Sequence, residues 1–455
     1  MKLAYNVNAK PRDIGYGKVI LFAFQQLLAI LAATIAVPAI VGNGMSQSAA
    51  LFGAGIGTLV YQLFTRFKSP VFLGSSFAFI GPMLAAFAGG VSMELGYLGL
   101  LFGAIFAGLV YVIIALITKF AGVKWISKLM PAVVVGPTVA IIGLSLAGNA
   151  IKDAVGGSVG AVVNGGNSWT MTAKGGLCLV CALVTLFTVM ICSVFGKKTM
   201  KMIPFIIGIL AGYLVATIFT VIGIATKNDT LQLINFGLFE NMKWVPDFTF
   251  LKAFKGFKEL TPSYIGTVAV AYIPVAFVVF AEHLADHKNI SSIIEKDLLE
   301  DPGLSNTLLG DGVGSMAGAF FGGCPNTTYG ESIGCVAISG NAAVCTITVT
   351  AFMAIISAFI APFVTFLATI PACVMGGVCI SLYGFIAVSG LKMIQKVDLG
   401  DNRNLFTVSV ILIAGIGGLA LTFGKVTLTA VACALILGII TNLVLNIGNK
   451  NKSQD

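Results

Sequence analysis

The sequence predicts an all-α polytopic membrane protein of fourteen spans, arranged as two inverted seven-span repeats. Three observations carry that expectation. Of the 455 residues, 57% are hydrophobic and only 10% charged, whereas a soluble chain carries about 25% charged residues. Apolar runs close to the roughly 20 residues needed to cross hydrocarbon recur from one end of the chain to the other. Two glycine-rich motifs also return seven runs later in the sequence.

The first seven predicted spans cover 18–41, 48–65, 70–90, 96–118, 130–151, 175–195 and 202–225. The second seven cover 264–288, 304–323, 325–340, 343–368, 371–394, 404–423 and 426–447. Residues 1–17 are polar and lack the short apolar core of a secretory signal, so the first span is expected to stay in place. Twelve spans read as unbroken and two as interrupted. Span three contains Gly74-Ser-Ser-Phe-Ala-Phe-Ile-Gly-Pro82, and span ten contains Gly322-Gly-Cys-Pro-Asn-Thr-Thr-Tyr-Gly-Glu331. Pro, Gly and Ser/Thr clusters free backbone groups, which membrane depth tolerates only where protein buries them or they line a polar cavity. An extended stretch followed by a half-helix is expected at both places.

An even number of spans puts both ends on one side. Lys18, Arg66, Lys68, Lys119, Lys124, Lys128, Lys197, Lys288, Lys296, Lys392, Arg403, Lys450 and Lys452 then share the cytoplasmic face, as the positive-inside tendency requires. Eight basic residues fall on the other side, and five of them, Lys227, Lys243, Lys252, Lys255 and Lys258, lie in the long connection 226–263. The net charge of +9 is thereby read as orientation signal, and nucleic acid is excluded as a partner. The nine cysteines lie almost wholly in apolar runs, so no disulfide framework follows, and Cys178 and Cys181 read as small apolar filler.

Self-similarity divides the chain in two. Phe52-Gly-Ala-Gly-Ile-Gly-Thr58 in span two matches Leu309-Gly-Asp-Gly-Val-Gly-Ser315 in span nine, and Pro131-Ala-Val-Val-Val-Gly136 in span five matches Pro371-Ala-Cys-Val-Met-Gly376 in span twelve. An offset of seven spans is odd, so the second repeat enters the membrane from the opposite side. Inverted repeats of this kind mark secondary transporters, whose sites lie near the midplane on discontinuous helices.

Ionisable groups inside a membrane are expensive and functional by default. Glu331 lies inside the second interruption, Asp311 in span nine, and Glu282 towards the end of span eight. Both histidines follow in Glu282-His-Leu-Ala-Asp-His287. His283 and His287 share a helix face at metal-ligand spacing, but the order differs from that of zinc proteases. No metal is expected, and an intramembrane metalloenzyme is the remote alternative.

At these residues the chain resembles a known family. Gly74 to Ile80, Glu282-His283, Lys296-Asp-Leu-Leu-Glu-Asp-Pro-Gly303, Pro325 to Glu331, Val374-Met-Gly-Gly-Val378 and Tyr383-Gly384 are similar, in order, to the bacterial uracil permeases of the nucleobase-ascorbate transporter family. Xanthine and urate members usually carry Gln-Asn where this chain has Pro325-Asn326, which favours a pyrimidine over the alternative of a xanthine or purine permease. An anion exchanger of related fold is the alternative from another transport class.

The resemblance implies a core domain of 18–120 and 264–369, a gate domain of 121–225 and 370–448, an extracellular connection 226–263, and cytoplasmic ends 1–17 and 449–455. It places the substrate between short β-strands in broken spans 3 and 10. Glu282 and Glu331 would accept hydrogen bonds from ring N–H groups, Phe77 would pack on the ring, Tyr329 and Gly330 would supply backbone groups, and Tyr383 would lie across on the gate. It implies proton symport in a bacterial cell membrane with no cofactor, and it is compatible with a homodimer. The proton-coupling candidates are Glu282, His283, Asp286, Glu331 and Asp311. Asp286 departs from the family pattern, which has His four residues after the first Glu.

Overall fold

A chain of Leu, Ile, Val, Ala and Phe can satisfy its own backbone inside a bilayer only as helices or closed barrels, and the computed structural model of this chain is built of helices. It describes residues 3–122, 125, 129–156, 159–163, 166–169, 171–423 and 426–447. Lys124, Lys128, Lys450 and Lys452, and the tail 449–455, lie outside the described residues.

The elements run α1 (Tyr16–Val41), α2 (Gln47–Phe64), β1 (Leu73–Ser75), α3 (Ile80–Ala86), α4 (Met93–Ala121), α5 (Ala132–Ala154), a hairpin of β2 (Val159–Val163) and β3 (Gly166–Trp169), α6 (Ala173–Phe195) and α7 (Pro204–Thr226). After the connection come α8 (Pro262–Ile294), α9 (Leu304–Gly322), β4 (Asn326–Thr328), α10 (Gly330–Ser339), α11 (Val344–Ser357), α12 (Ala361–Thr369), α13 (Ala372–Ile394) and α14 (Asn402–Ile416). A hairpin of β5 (Leu421–Phe423) and β6 (Val426–Leu428) then leads into α15 (Ala430–Leu445). Among the described residues, seven helices are long and apolar enough to cross a membrane, and eight if the bent pair α11 and α12 counts as one. The chain is a multi-pass membrane protein. Its outward faces carry exposed Ile113, Phe187, Leu214, Phe406 and Ile413, side chains that suit lipid and not water.

Hydroxyl side chains cap the starts of several helices. Ser46 Oγ accepts from Ala49 N at 3.2 Å, Ser92 Oγ from Leu95 N at 3.1 Å and Thr261 Oγ1 from Tyr264 N at 3.3 Å, satisfying amides that have no intrahelical partner.

The structure differs from the span reading in four places, one being the expected span 426–447, which begins as the strand β6 and turns helical only at Ala430. Residues 343–368 were expected unbroken, yet α11 and α12 meet at a bend of 83°. Pro362 stands in the first turn of α12, where its missing N–H costs nothing; it could not have extended α11, and the chain turns at Ile360, whose backbone is extended at φ −83° and ψ 90°. The helix of 404–423 stops at Ile416, because Gly418 takes φ +70°, the left-handed conformation that closes helices. Span eight runs past 288, and α8 continues to Ile294.

The two recurring motifs owe their glycines to close packing. Helices α2 and α9 lie against each other, as do α5 and α13. A Cβ on Gly314 would stand 2.7 Å from Gly57 O, and one on Gly136 would stand 3.1 Å from Gly390 O. Small residues let such helices approach backbone to backbone. Where α2 and α8 end, Lys68 Nζ and Lys296 Nζ clamp Asp301 at 2.6 and 2.8 Å, and these two ammonium groups hold the Asp301 carboxyl down at about 2.

Candidate substrate site

Both interrupted spans begin as strands, and the strands pair. β1 and β4 run antiparallel with Leu73 opposite Thr328, Gly74 opposite Thr327 and Ser75 opposite Asn326. Pro325 has no N–H to give a helix, and Thr327 and Thr328 are β-branched residues that favour extended backbone. Ser76 N donates to Pro325 O at 2.9 Å and Tyr329 N to Phe72 O at 3.1 Å, extending the ladder past each end.

The outer edge of β1 is covered by α2, and α8 and α9 pack against β4. Leu73 N donates to Thr58 Oγ1 at 2.9 Å, Thr58 Oγ1 lies 3.1 Å from Leu73 O, and Asn326 Nδ2 donates to Gly53 O at 3.1 Å. Tyr329 OH donates to Ser75 O at 2.8 Å, and its ring lies where any Cβ on Gly74 would be. A ribbon of three residues per strand is thus fixed on all sides, as backbone at membrane depth requires.

Beyond each strand a helix begins. Phe77–Phe79 forms a 3-10 turn that leads into α3, and α10 begins at Gly330 with Glu331 in its first turn. The half-helices therefore start at the same ribbon. A cavity of about 420 Å³ opens there, and Phe77, Glu282, Asp286, Tyr329, Gly330 and Glu331 all line it, together with Thr327, Thr328 and Leu382. That volume lies within the usual range for small-ligand sites, about 300–1,000 Å³.

Glu282 and Asp286 reach the cavity from one face of α8, four residues apart. Thr328 Oγ1 donates to Asp286 Oδ2 at 2.6 Å, so Asp286 faces the strand and not its neighbour Lys288. Three carboxyl groups from two elements thus face one space beside an aromatic ring, a set of acceptors for N–H donors on a planar ligand.

Three predicted residues stand elsewhere. Tyr383 is buried behind the lining, its ring edge-on to Phe77 with centroids 5.7 Å apart and planes at 80°; its neighbour Leu382 reaches the cavity instead. His283 and Asp311 are fully buried and outside the lining. His283 Nδ1 and Asp311 Oδ2 are 2.6 Å apart, and His283 Nε2 lies 3.1 Å from Thr307 Oγ1. His287 Nδ1 donates to His283 O at 2.8 Å, and His287 Nε2 is 2.7 Å from Tyr61 OH. All four imidazole nitrogens therefore have partners within the protein.

The sequence reading missed Thr328, Tyr61 and Thr307. Each meets its partner across a long stretch of chain or between separate helices, and no spacing in the sequence announces such a meeting.

Comparison with known proteins identifies the family. Residues 17–424 match a family described as the permease family. The chain is 37% identical over 434 residues to the uracil permease of Bacillus caldolyticus, covering 94% of this chain and 92% of that protein. It is 38% identical over 430 residues to the uracil permease of Bacillus subtilis strain 168, covering 93% and 92%. It is 33% identical over 427 residues to that of Escherichia coli K12, covering 93% and 90%. Among solved structures, the transmembrane domain of the cyanobacterium bicarbonate transporter BicA matches with a TM-score of 0.63 at 15% identity, covering 97% of this chain and all (100%) of that one. The murine Solute Carrier 26 family member A9 anion transporter, in its inward-facing state, matches with a TM-score of 0.64 at 12% identity, covering 95% and 68%. These two share the fold. The family match over most of the length, with relatives above 30% identity, means that the chain belongs to this permease family, the nucleobase-ascorbate transporters, a family of membrane transporters and not of enzymes.

Proposed function

We propose that the chain is a secondary active transporter that imports uracil by proton symport. The observation that carries this reading is the meeting of Glu282, Glu331 and Phe77 in one cavity at the β1–β4 ribbon. Uracil is a flat neutral ring with N–H donors and C=O acceptors. Glu282 and Glu331 would take its N–H groups, backbone at Tyr329 and Gly330 its carbonyls, and Phe77 one face. The relatives named as uracil permeases support the same ligand.

Fourteen crossings in two inverted seven-span repeats form the scaffold of this reading. Support comes from the antiparallel pairing of β1 with β4 and from the mutual packing of α2 with α9 and α5 with α13, each pair being repeat-mates. The core would be α1–α4 with α8–α12 and the gate α5–α7 with α13–α15, both termini cytoplasmic in a bacterial cell membrane. Phe77 on one part and Tyr383 on the other would meet at their boundary. Movement of core against gate would expose the cavity to each side in turn. Glu282, Asp286 and Glu331 are the groups positioned to carry the proton with the substrate.

The test is uptake of radiolabelled uracil by proteoliposomes with and without an imposed inward proton gradient. Uptake accelerated by the gradient and competed by unlabelled uracil is expected. Uptake of xanthine in preference to uracil would transfer the site to purines, and a response to bicarbonate alone would transfer it to anions. The three carboxyl groups in the cavity weigh against an anion.

A further inference from the structure

The connection between α7 and α8 contains a run, Thr249–Glu259, that takes no part in the substrate site. Thr249–Ala253 is a short α-helix, and Phe254–Glu259 prolongs it as a 3-10 helix. With about three residues per turn, the run sorts its side chains into three ridges.

One ridge, Phe250, Ala253 and Gly256, packs on the bundle and ends in the exposed Glu259. Ala253 is fully buried, and a Cβ on Gly256 would stand 2.9 Å from Leu95 Cα at the start of α4. The second ridge is apolar and uncovered: Leu251, Phe254 and Phe257 are 55%, 53% and 51% exposed. The third is basic. Lys255 and Lys258 are exposed, while Lys252 Nζ donates to Gly44 O at 3.2 Å and stands 4.7 Å over the ring of Tyr97.

The apolar ridge continues the outward surface of the helices beside it. The Phe254 ring lies 6.1 Å from that of Phe320 on α9, and Phe257 lies 6.3 Å from Phe102 on α4. Those helices turn Phe320, Ile105 and Leu109 outward, which in a multi-pass membrane protein is towards lipid. An apolar ridge joined to a lipid-facing surface and flanked by lysines is the pattern of a segment lying in the membrane interface, with rings at the acyl boundary and ammonium groups among the headgroups. It also accounts for lysines that the positive-inside tendency leaves unexplained.

We propose that Thr249–Glu259 is an interfacial anchor. It seats Leu251, Phe254 and Phe257 in the acyl boundary and presents Lys255 and Lys258 to the phosphates of anionic phospholipids. Through Gly256 against α4 and Phe250 stacked on Phe320 at 4.8 Å, it holds this end of the bundle at a fixed depth.

The test uses the full chain reconstituted in phosphatidylcholine vesicles with and without phosphatidylglycerol. In Phe254→Trp, the fluorescence added over the unsubstituted protein should be quenched by lipids brominated high on the acyl chain and spared by aqueous acrylamide. In native mass spectrometry the protein should retain phosphatidylglycerol over phosphatidylcholine. Lys255→Gln with Lys258→Gln should reduce that preference roughly fivefold for each lysine removed. Equal preference in the double variant, or quenching at position 254 by acrylamide and not by lipid, overturns the proposal. Shielding from both quenchers would put a protein surface over the ridge and overturns it as well.

Discussion

Thr328 Oγ1 and Asp286 Oδ2 are joined by a 2.6 Å hydrogen bond, which ties the strand of the second broken span to the long helix α8. Asp286 lies one helical turn from Glu282 and lines the same cavity. The family resemblance implies histidine at that position, so a carboxyl there would change what the site can do with a proton. Asp286→Asn keeps an acceptor for Thr328 and removes the titratable group. Uracil binding is expected to persist in this variant while uptake loses much of its dependence on a proton gradient. Uptake profiles across the pH range that superimpose on those of the unsubstituted protein would leave Asp286 with a structural role only.

Glu331 opens α10, and no other residue of that helix brings a carboxyl group into the cavity. Without it, a ring N–H facing α10 in the proposed pose would be left buried and unpaired, at a cost of about 1–3 kcal/mol. Glu331→Ala is therefore expected to abolish measurable uracil binding in the micromolar range while folded protein still accumulates in the membrane. Calorimetric titration of the purified variant checks this, and near-native affinity would remove Glu331 from the site.

Phe77 supplies a ring face, and Tyr383 braces it edge-on from behind. Phe77→Ala should weaken binding by about 0.5–1.5 kcal/mol beyond the area lost, with Phe77→Tyr milder. Tyr383→Phe keeps the edge contact and should leave affinity nearly unchanged, whereas Tyr383→Ala should follow Phe77→Ala in direction. If Tyr383→Phe alone costs as much as Phe77→Ala, the hydroxyl touches the ligand and the ring-bracing role fails.

Much of this site could be read from the chain before its folding was known. The Gly, Pro, Ser and Thr clusters at 74–82 and 322–331 identified the two breaks because they are poor continuous helices. The four-residue step from Glu282 to Asp286 put both acids on one face of α8, and the paired glycine motifs turned out to be helices packed on each other. What lay beyond reach depends on closure in three dimensions. Nothing near Tyr383 says that its ring stops behind Phe77, and nothing near His283 says that it turns away from Glu282 towards Asp311. The bend before Pro362 was legible in principle, but the apolar residues on both sides masked it.

Gly74 allows the ribbon to close. The ring of Tyr329 occupies the space of a Cβ at this position, and the same side chain donates to Ser75 O. Gly74→Ala must push the ring away, lose that bond or spread the strands. Overpacking of this kind costs about 1–3 kcal/mol. A lower melting temperature and reduced uracil affinity are expected together. Gly330, beside which no atom would crowd a Cβ, is the control: Gly330→Ala should retain stability, and any loss there should be confined to binding. Equal melting temperatures for Gly74→Ala and the unsubstituted protein would contradict the packing argument.

His283 and Asp311 form a fully buried pair, 2.6 Å apart, that joins α8 to α9 away from the cavity. Thr307 Oγ1 lies 3.0 Å from Leu304 O as well as 3.1 Å from His283 Nε2. Its single hydrogen can serve only one of them. When it serves Leu304 O, His283 Nε2 must itself carry a proton and donate to Thr307. A second proton is then shared between His283 Nδ1 and Asp311, whichever of the two holds it. Removing one member leaves the other buried without its partner, at a cost of about 3–5 kcal/mol. Asp311→Ala should therefore lower stability sharply. Replacing both residues by apolar ones of similar size, His283→Phe with Asp311→Leu, should recover part of the loss, since an apolar pair carries no stranded polar group. A double-mutant cycle on melting temperature in detergent measures this coupling. Additive effects of the two changes would mean that the two side chains do not act as a pair, whereas a transport defect that persists in the stable double variant would assign the pair a part in moving the proton as well as in holding α8 to α9.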